Sequence, residues 1–261
     1  MNVAGLRAVL FDIDGTITDG IGGPALPGAV RAVHKIAQNR PIRFVTNGTS
    51  WGRAALLDAL RREGFPVDEE RLVTPSRMAQ RILTERDHAA GVLIAEPSVL
   101  PDLDWFTLTP PDGAKAVLLA TEGHDLTIRD LGVAVEALLR GAKLYTLQQN
   151  RVFRRRGQLV TDLGPVAAFL GYAANATWEN LGKPAPLLFE TLASDLGCRV
   201  HELAMVGDDA EFDASGALRA GCGAGFLVKT GKYRFGDETA VSPAPSMVID
   251  GVESLVDLFA V

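Results

Sequence analysis

The sequence predicts an α/β protein: a doubly wound parallel sheet with a smaller α/β domain inserted into it. Three observations predict this. Short apolar runs rich in β-formers alternate with segments of helical spacing, the pattern of strands joined by crossover helices. The alternation changes texture after about residue 77 and resumes near residue 181. Three of the apolar runs also break abruptly into polar residues, as strands do where their carboxyl ends border a ligand crevice.

Taken in order, Ala8-Val9-Leu10-Phe11 is a strand that is apolar on both faces. Pro27 to Gln38 then sets Val30, Val33, Ile36 and Ala37 at helical spacing. Ile42 to Val45 is the next strand, and a helix near Gly52 to Arg62 stops at Gly64, a favoured C-terminal cap. Thr74-Pro75-Ser76 opens another helix, with Thr74 as cap and Pro75 in the first turn.

Within the insertion, Gly91 to Ala95, Ala116 to Ala120 and Leu144 to Leu147 read as strands. They are separated by the Pro-rich stretch Pro97 to Pro111 and by a helix across Leu126 to Arg140. Arg151 to Val160 reads as a hairpin turning at Gly157, and a helix from about Pro165 to Ala174 follows. From Lys183 the first style returns: a proline-opened helix to about Asp195, a strand Leu203 to Val206, a helix through Ala217 to Ala220 and a strand Gly225 to Val228. The expected domains are therefore 1–77 with 181–261, and 78–180 between them.

Composition narrows the function. With 261 residues, 47% of them hydrophobic, the chain can bury a full core, which excludes a disordered protein. A net charge of −6 gives no cationic footprint for nucleic acid or an anionic membrane, so an anionic substrate needs a local cation. No run of 18 apolar residues occurs, and the run Ala8 to Phe11 is cut off by Asp12 with no cleavage signal. Cys198 and Cys222 lack metal-ligand spacing and read as ordinary thiols of a reducing compartment. A cytoplasmic protein is expected. His34, His88 and His201 have no partner at metal spacing, and His124, in Thr121 to Asp125, lies at a strand end of the insertion. Arg154-Arg155-Arg156 alternates in direction along a strand and reads as a solvated face. Gly221 to Gly225 follows a helix and precedes a strand, the order of a helix stop rather than of a dinucleotide loop.

The chemistry lies at the strand ends: Phe11 into Asp12, Val45 into Thr46-Asn47, and Val206 into Gly207-Asp208. There the carboxylates of Asp12, Asp14, Asp208, Asp209 and Asp213 would crowd one crevice and raise one another's pKa unless a cation intervenes. Candidate ligands that are all oxygen suit Mg²⁺. Singly, each residue has a plainer reading: a turn residue for Asp12 and Asp14, a helix cap for Asp209 and Asp213, an exposed helix start for Lys183.

Together they do not. Asp12-Ile13-Asp14-Gly15-Thr16-Ile17, Val45-Thr46-Asn47, Gly182-Lys183-Pro184 and Gly207-Asp208-Asp209 with Asp213 resemble, in order and context, the four motifs of the haloacid dehalogenase superfamily. The insertion between the second and third resembles the α/β cap of its NagD-like branch. Leu227-Val228-Lys229-Thr230-Gly231-Lys232-Tyr233 extends the likeness, which spans nearly the whole chain.

The resemblance implies a Mg²⁺-dependent phosphatase acting on a phosphorylated small molecule. Asp12 would be the nucleophile, and Asp14 the acid and then the base. Mg²⁺ would be held by Asp12, the backbone carbonyl of Asp14 and Asp208, with Asp209 and Asp213 supporting them. The Thr46 hydroxyl, the Asn47 and Gly48 amides and the Lys183 cation would bind phosphate, and the cap would close over the crevice. Asp14 favours phosphoryl transfer over carbon–halogen cleavage, whose enzymes generally lack it. A phosphomutase, or a binding protein of this fold with vestigial activity, shares the same motifs. A homodimer through the cap is compatible with the resemblance and follows from no particular residue.

Overall fold

The computed structural model describes residues 3–120, 127–155 and 158–259. Its strands, in chain order, are β1 (Ala8–Phe11), β2 (Ile42–Val45), β3 (Leu72–Val73), β4 (Ala90–Ile94), β5 (Thr107–Leu108), β6 (Ala116–Leu119), β7 (Lys143–Thr146), β8 (Val152–Arg155), β9 (Gln158–Thr161), β10 (Trp178–Asn180), β11 (Leu203–Gly207), β12 (Ala224–Val228) and β13 (Met247–Ile249). The chain divides into two compact units. One comprises Met1–Thr46, Ala54–Val73 and Lys183–Val261, the other Asn47–Arg53 and Thr74–Gly182.

The first unit is built on a six-stranded sheet in the order β13-β12-β11-β1-β2-β3. Every pairing in it is parallel. From β1 the chain steps outward through β2 and β3, and its last segment steps the other way through β11, β12 and β13. The reversal falls between β1 and β11, where Phe11 lies opposite Val206. Such a switch point opens a crevice beyond the carboxyl ends of the two strands.

Sequence pattern explains the packing. The helix Ala29–Asn39 buries Ala29, Ala32, Val33 and Ile36, the i, i+3, i+4, i+7 stripe of a face turned to a sheet. Phe11, Phe44 and Phe226 are fully buried on the central strands, with the rings of Phe11 and Phe44 6.5 Å apart across the β1–β2 pair. The helix Arg53–Arg62 ends where Phe65 N–H donates to Leu60 O and Gly64 N–H to Arg61 O. Gly64 sits there at φ +90°, a left-handed stop that an L side chain would strain.

The second unit carries a five-stranded parallel sheet, β10-β7-β6-β4-β5, and the antiparallel pair β8-β9. Val117, Leu118 and Leu119 of its central β6 are wholly buried. Thr74 caps the helix Pro75–Glu85 by accepting from Arg77 N–H, and Asp162 caps the helix Leu163–Ala174 through Leu163 N–H. The turn at Gly157, with Arg156, and the Thr121 to Asp125 stretch with His124 lie outside the described residues.

Departures from the sequence reading have local causes. The helix expected across Leu126 to Arg140 spans only Gly132–Leu139. Ahead of it Asp130 accepts from both the N–H and the hydroxyl of Thr127, which holds the approach as a turn. The Pro97 to Pro111 stretch forms a 3₁₀ segment, Pro97–Leu103, then β5. The helix expected through Ala217 to Ala220 is Ser215–Arg219, entered through a π-turn at Ala210–Ala214.

Candidate active site

Asp12 directly follows β1. Its N–H donates to Val206 O at 2.8 Å, continuing the β1–β11 ladder, so its carboxylate stands just beyond the sheet. The chain then folds back on Ile13 O, which accepts from Thr16 and Ile17 N–H, and the Thr16 hydroxyl donates to Asp12 Oδ2 at 3.0 Å. Gly15, at φ +79°, makes that turn, and a Cβ there would collide with Asp208 Oδ2.

Lys183 enters the same place from the far end of the sequence. Its Nζ lies 2.5 Å from Asp12 Oδ1 and 2.7 Å from Asp213 Oδ1. The next residue, Pro184, packs so closely on Gly216 that a Cβ on that glycine would come 2.5 Å from the proline ring. Asp208 follows β11, and its Oδ2 accepts from Lys232 N–H at 2.7 Å. Asp209 accepts from Glu211 and Phe212 N–H at 3.0 Å each, capping the π-turn. That wide turn carries Asp213 back toward Lys183, with its Oδ2 accepting from Asp209 N–H at 3.2 Å. Asp12, Lys183, Asp208 and Asp213 are all buried, none more than 6% exposed.

Lys183 thus pairs with two buried carboxylates, and a third, Asp208, lies beside them. Burial works against the charge on Lys183, but Asp12 and Asp213 outweigh it and raise its pKa above the ordinary lysine value. Burial, then the nearby Asp12 charge, pushes Asp208 up to about 8. Asp213 is also held above the ordinary carboxylate range, by burial first, with Lys183 opposing. Asp14 is pushed up to about 7 by burial and Asp12, against the pull of Lys183, Lys232 and a hydrogen bond from Thr46. Shifts of this size at one edge of one sheet mark a site short of positive charge.

A divalent cation fits that shortage. Asp12, Asp208 and Asp213 can each turn an oxygen to within 4.8 Å of the others, and Asp14 Oδ1 is buried without a hydrogen-bond partner. The donors are all hard oxygens, the set that suits Mg²⁺.

The sequence-predicted residues divide between the two units. Asp12, Asp14, Thr46, Lys183, Asp208, Asp209 and Asp213 belong to the first unit, and Thr46 reaches Asp14 through its hydroxyl. Asn47 and Gly48 belong to the second, where Asn47 Nδ2 donates to Asn150 Oδ1 at 3.4 Å. Sequence reasoning gave no role to Thr16, nor to Thr230 and Lys232 beyond β12. The missed signal was a fourth polar strand end, Val228 into Lys229-Thr230. Outside the site, His34 Nε2 bonds Gly64 O at 2.8 Å and His88 Nδ1 bonds the Tyr145 hydroxyl at 2.7 Å. Among the described residues no helix is long and apolar enough to cross a membrane.

Known proteins resemble this chain. The haloacid dehalogenase-like hydrolase family matches residues 9–104, and a HAD-hydrolase-like family matches 180–255. Phospholysine phosphohistidine inorganic pyrophosphate phosphatase of Bos taurus is 33% identical, over 98% of this chain and 95% of its own length. Haloacid dehalogenase-like hydrolase domain-containing protein 2 of Homo sapiens is 34% identical over 97% and 95%. The chain therefore belongs to the haloacid dehalogenase-like hydrolases. Solved structures share its fold. A 4-nitrophenylphosphatase from Thermotoga maritima has a TM-score of 0.86 at 22% identity, covering 98% of each chain. Glycerol phosphate phosphatase from Mycobacterium tuberculosis, solved in complex with magnesium, has 0.80 at 24%, covering 97% of this chain and 78% of its own.

Proposed function

We propose that this haloacid dehalogenase-family phosphatase hydrolyses a phosphorylated small molecule through an aspartyl phosphate on Asp12, with Mg²⁺ as cofactor. The observation that carries the reading is the buried Lys183–Asp12 pair at 2.5 Å, set beside Asp208 and an Asp14 whose pKa is about 7.

In this reading a carboxylate oxygen of Asp12 attacks phosphorus in line, and the bond to the departing oxygen breaks. Asp14 gives that oxygen its proton. It then takes one from the water that cleaves the acyl phosphate, releasing inorganic phosphate and restoring Asp12. A carboxyl with a pKa near 7 can perform both transfers at neutral pH. The Lys183 ammonium orients Asp12 and, with the Thr46 hydroxyl and the Asn47 and Gly48 amides, neutralises the phosphoryl oxygens. Thr16 holds the other Asp12 oxygen at 3.0 Å, which limits the carboxylate to one orientation. Asp12, Asp208 and the Asp14 carbonyl would hold Mg²⁺, with Asp213 fixing Lys183. When bound, the ion supplies charge neutralisation for a dianionic phosphate entering an acidic crevice.

The inserted unit, in this reading, is the family's cap and selects among substrates. Two free cysteines, Cys198 and Cys222, fit a reducing compartment such as the cytoplasm. The test is turnover of an aryl phosphate with and without Mg²⁺, alongside pyrophosphate, glycerol phosphate and phosphohistidine, the substrates that relatives' names supply. Hydrolysis should require Mg²⁺ and fall at least about 10³-fold in Asp12→Asn. Unchanged turnover in that variant would falsify the covalent mechanism.

A further inference from the structure

Beyond β12 the chain runs into Lys229-Thr230-Gly231-Lys232, a loop to which neither the four motifs nor the mechanism above gives a role. Because β12 lies parallel to β11, this loop emerges at the same edge of the sheet as Asp208. It reaches both catalytic loops. The Thr230 hydroxyl donates to the backbone carbonyl of Gly15 at 2.5 Å, and Lys232 N–H donates to Asp208 Oδ2 at 2.7 Å.

Between these two bonds the backbones touch. A Cβ on Gly231, at φ +62°, would lie 2.6 Å from Gly15 Cα, and one on Gly15 would lie 2.8 Å from Gly231 Cα. Either would also collide with Asp208 Oδ2. Glycine on both sides is thus a geometric requirement: the Asp208 carboxylate lies where either Cβ would be. The Lys232 side chain is more than half exposed, with Nζ 3.4 Å from Asp209 Oδ2, so its charge stays beside the same carboxylates.

We propose that Thr230, Gly231 and the Lys232 amide are positioning residues for the divalent cation. The loop is a clamp that holds the Asp12–Gly15 turn and the Asp208 carboxylate in one fixed relation. An N–H bond to a carboxylate is charge-assisted, and fixing one oxygen of Asp208 orients the other. The Thr230 bond holds the Gly15 carbonyl, one residue beyond the Asp14 carbonyl, so both sides of the cation site are set from a single loop. Groups that orient ligands in this way commonly account for about 10- to 100-fold in metal affinity. The inference rests on the Mg²⁺-dependent reading above.

The test is Mg²⁺ titration of the full chain by calorimetry in the absence of substrate, with activity measured in parallel. Thr230→Val, which keeps the shape and removes the hydroxyl, should weaken Mg²⁺ binding about fivefold or more. Raising Mg²⁺ should recover most of the lost turnover, and Thr230→Ser should restore the affinity. Gly231→Ala should weaken binding further; if it fails to fold, Thr230→Val decides alone. A Thr230→Val protein with a lowered melting temperature and wild-type Mg²⁺ affinity overturns the clamp and leaves the loop a merely structural role. A wild-type protein that neither binds Mg²⁺ nor needs it for hydrolysis overturns the underlying reading, and the clamp with it. The two failures appear in different proteins and are therefore distinguishable.

Discussion

Lys183 and Asp213 form an ion pair of 2.7 Å in which both side chains are almost completely buried, and the same ammonium reaches Asp12 at 2.5 Å. One cation from the third motif thus links the first motif to the fourth. Taking charges out of water costs several kcal/mol each unless partners compensate, so this lysine holds structure and site together.

Its removal should therefore be felt in stability as well as rate. Lys183→Met leaves Asp12 and Asp213 buried without their cation and should destabilise the metal-free protein by about 3 kcal/mol or more at neutral pH. Adding Asp213→Asn should recover part of the loss, because one of the stranded charges is gone. Denaturant unfolding of the two single variants and the double variant checks this; strictly additive destabilisation would contradict it.

Asp14→Asn separates the two proton transfers. The variant cannot protonate a departing alkoxide, so alkyl phosphate turnover should fall about 10²- to 10⁴-fold. A nitrophenolate departs without help, so aryl phosphate should still phosphorylate Asp12, and the acyl phosphate should then accumulate. Rapid-quench kinetics on both substrates, with the intact mass of the protein, reads the difference. Equal losses on the two substrates and no accumulated intermediate would remove Asp14 from the acid–base role.

Stability should fall with pH when metal is absent. A carboxylate whose folded pKa exceeds its unfolded value of about 4 keeps its proton longer when folded. Stability is then lost as pH rises through the interval and levels off above the folded pKa. For Asp208 the interval ends at about 8, with burial the main cause. Exposed carboxylates such as Asp87 and Asp130, lowered by hydrogen bonds from Lys115 and Thr127, have finished titrating below pH 5. Melting temperatures in chelator should thus decline from pH 5 to pH 8, while the gain on adding Mg²⁺ should grow, since the ion takes the deprotonated carboxylates. A gain independent of pH would rule this out.

Asp209 should behave as a cap. Its carboxylate accepts from two backbone N–H groups at the start of the π-turn. Asp209→Ala should cost about 1 kcal/mol of stability. It should alter Mg²⁺ affinity far less than Asp208→Asn does. A calorimetric titration of the two variants in parallel would expose the opposite order.

The sequence by itself determined the central strands and the motif residues. Strands β1, β2, β4, β6, β7, β11 and β12 are short apolar runs because parallel strands with neighbours on both sides are covered on both faces. The same reason explains the failures. β3, β5, β10 and β13 are the four outer strands of the two parallel sheets, and all four went unread. They are two or three residues long, and three of them carry exposed or half-exposed positions, so no apolar run marks them.

The candidate site followed a similar division. Asp12, Asp14 and Asp208 were legible because each stands within three residues of a strand end, and parallel strands deliver their ends to one edge. Only the tertiary structure decided that Lys183 serves Asp12 and Asp213 together, that Asp209 caps the π-turn, and that Thr230 and Lys232 close on Gly15 and Asp208. Those relations join residues as far as 215 positions apart. Hydrogen bonding and charge pairing fix them in three dimensions, and no periodicity along a chain encodes such a meeting.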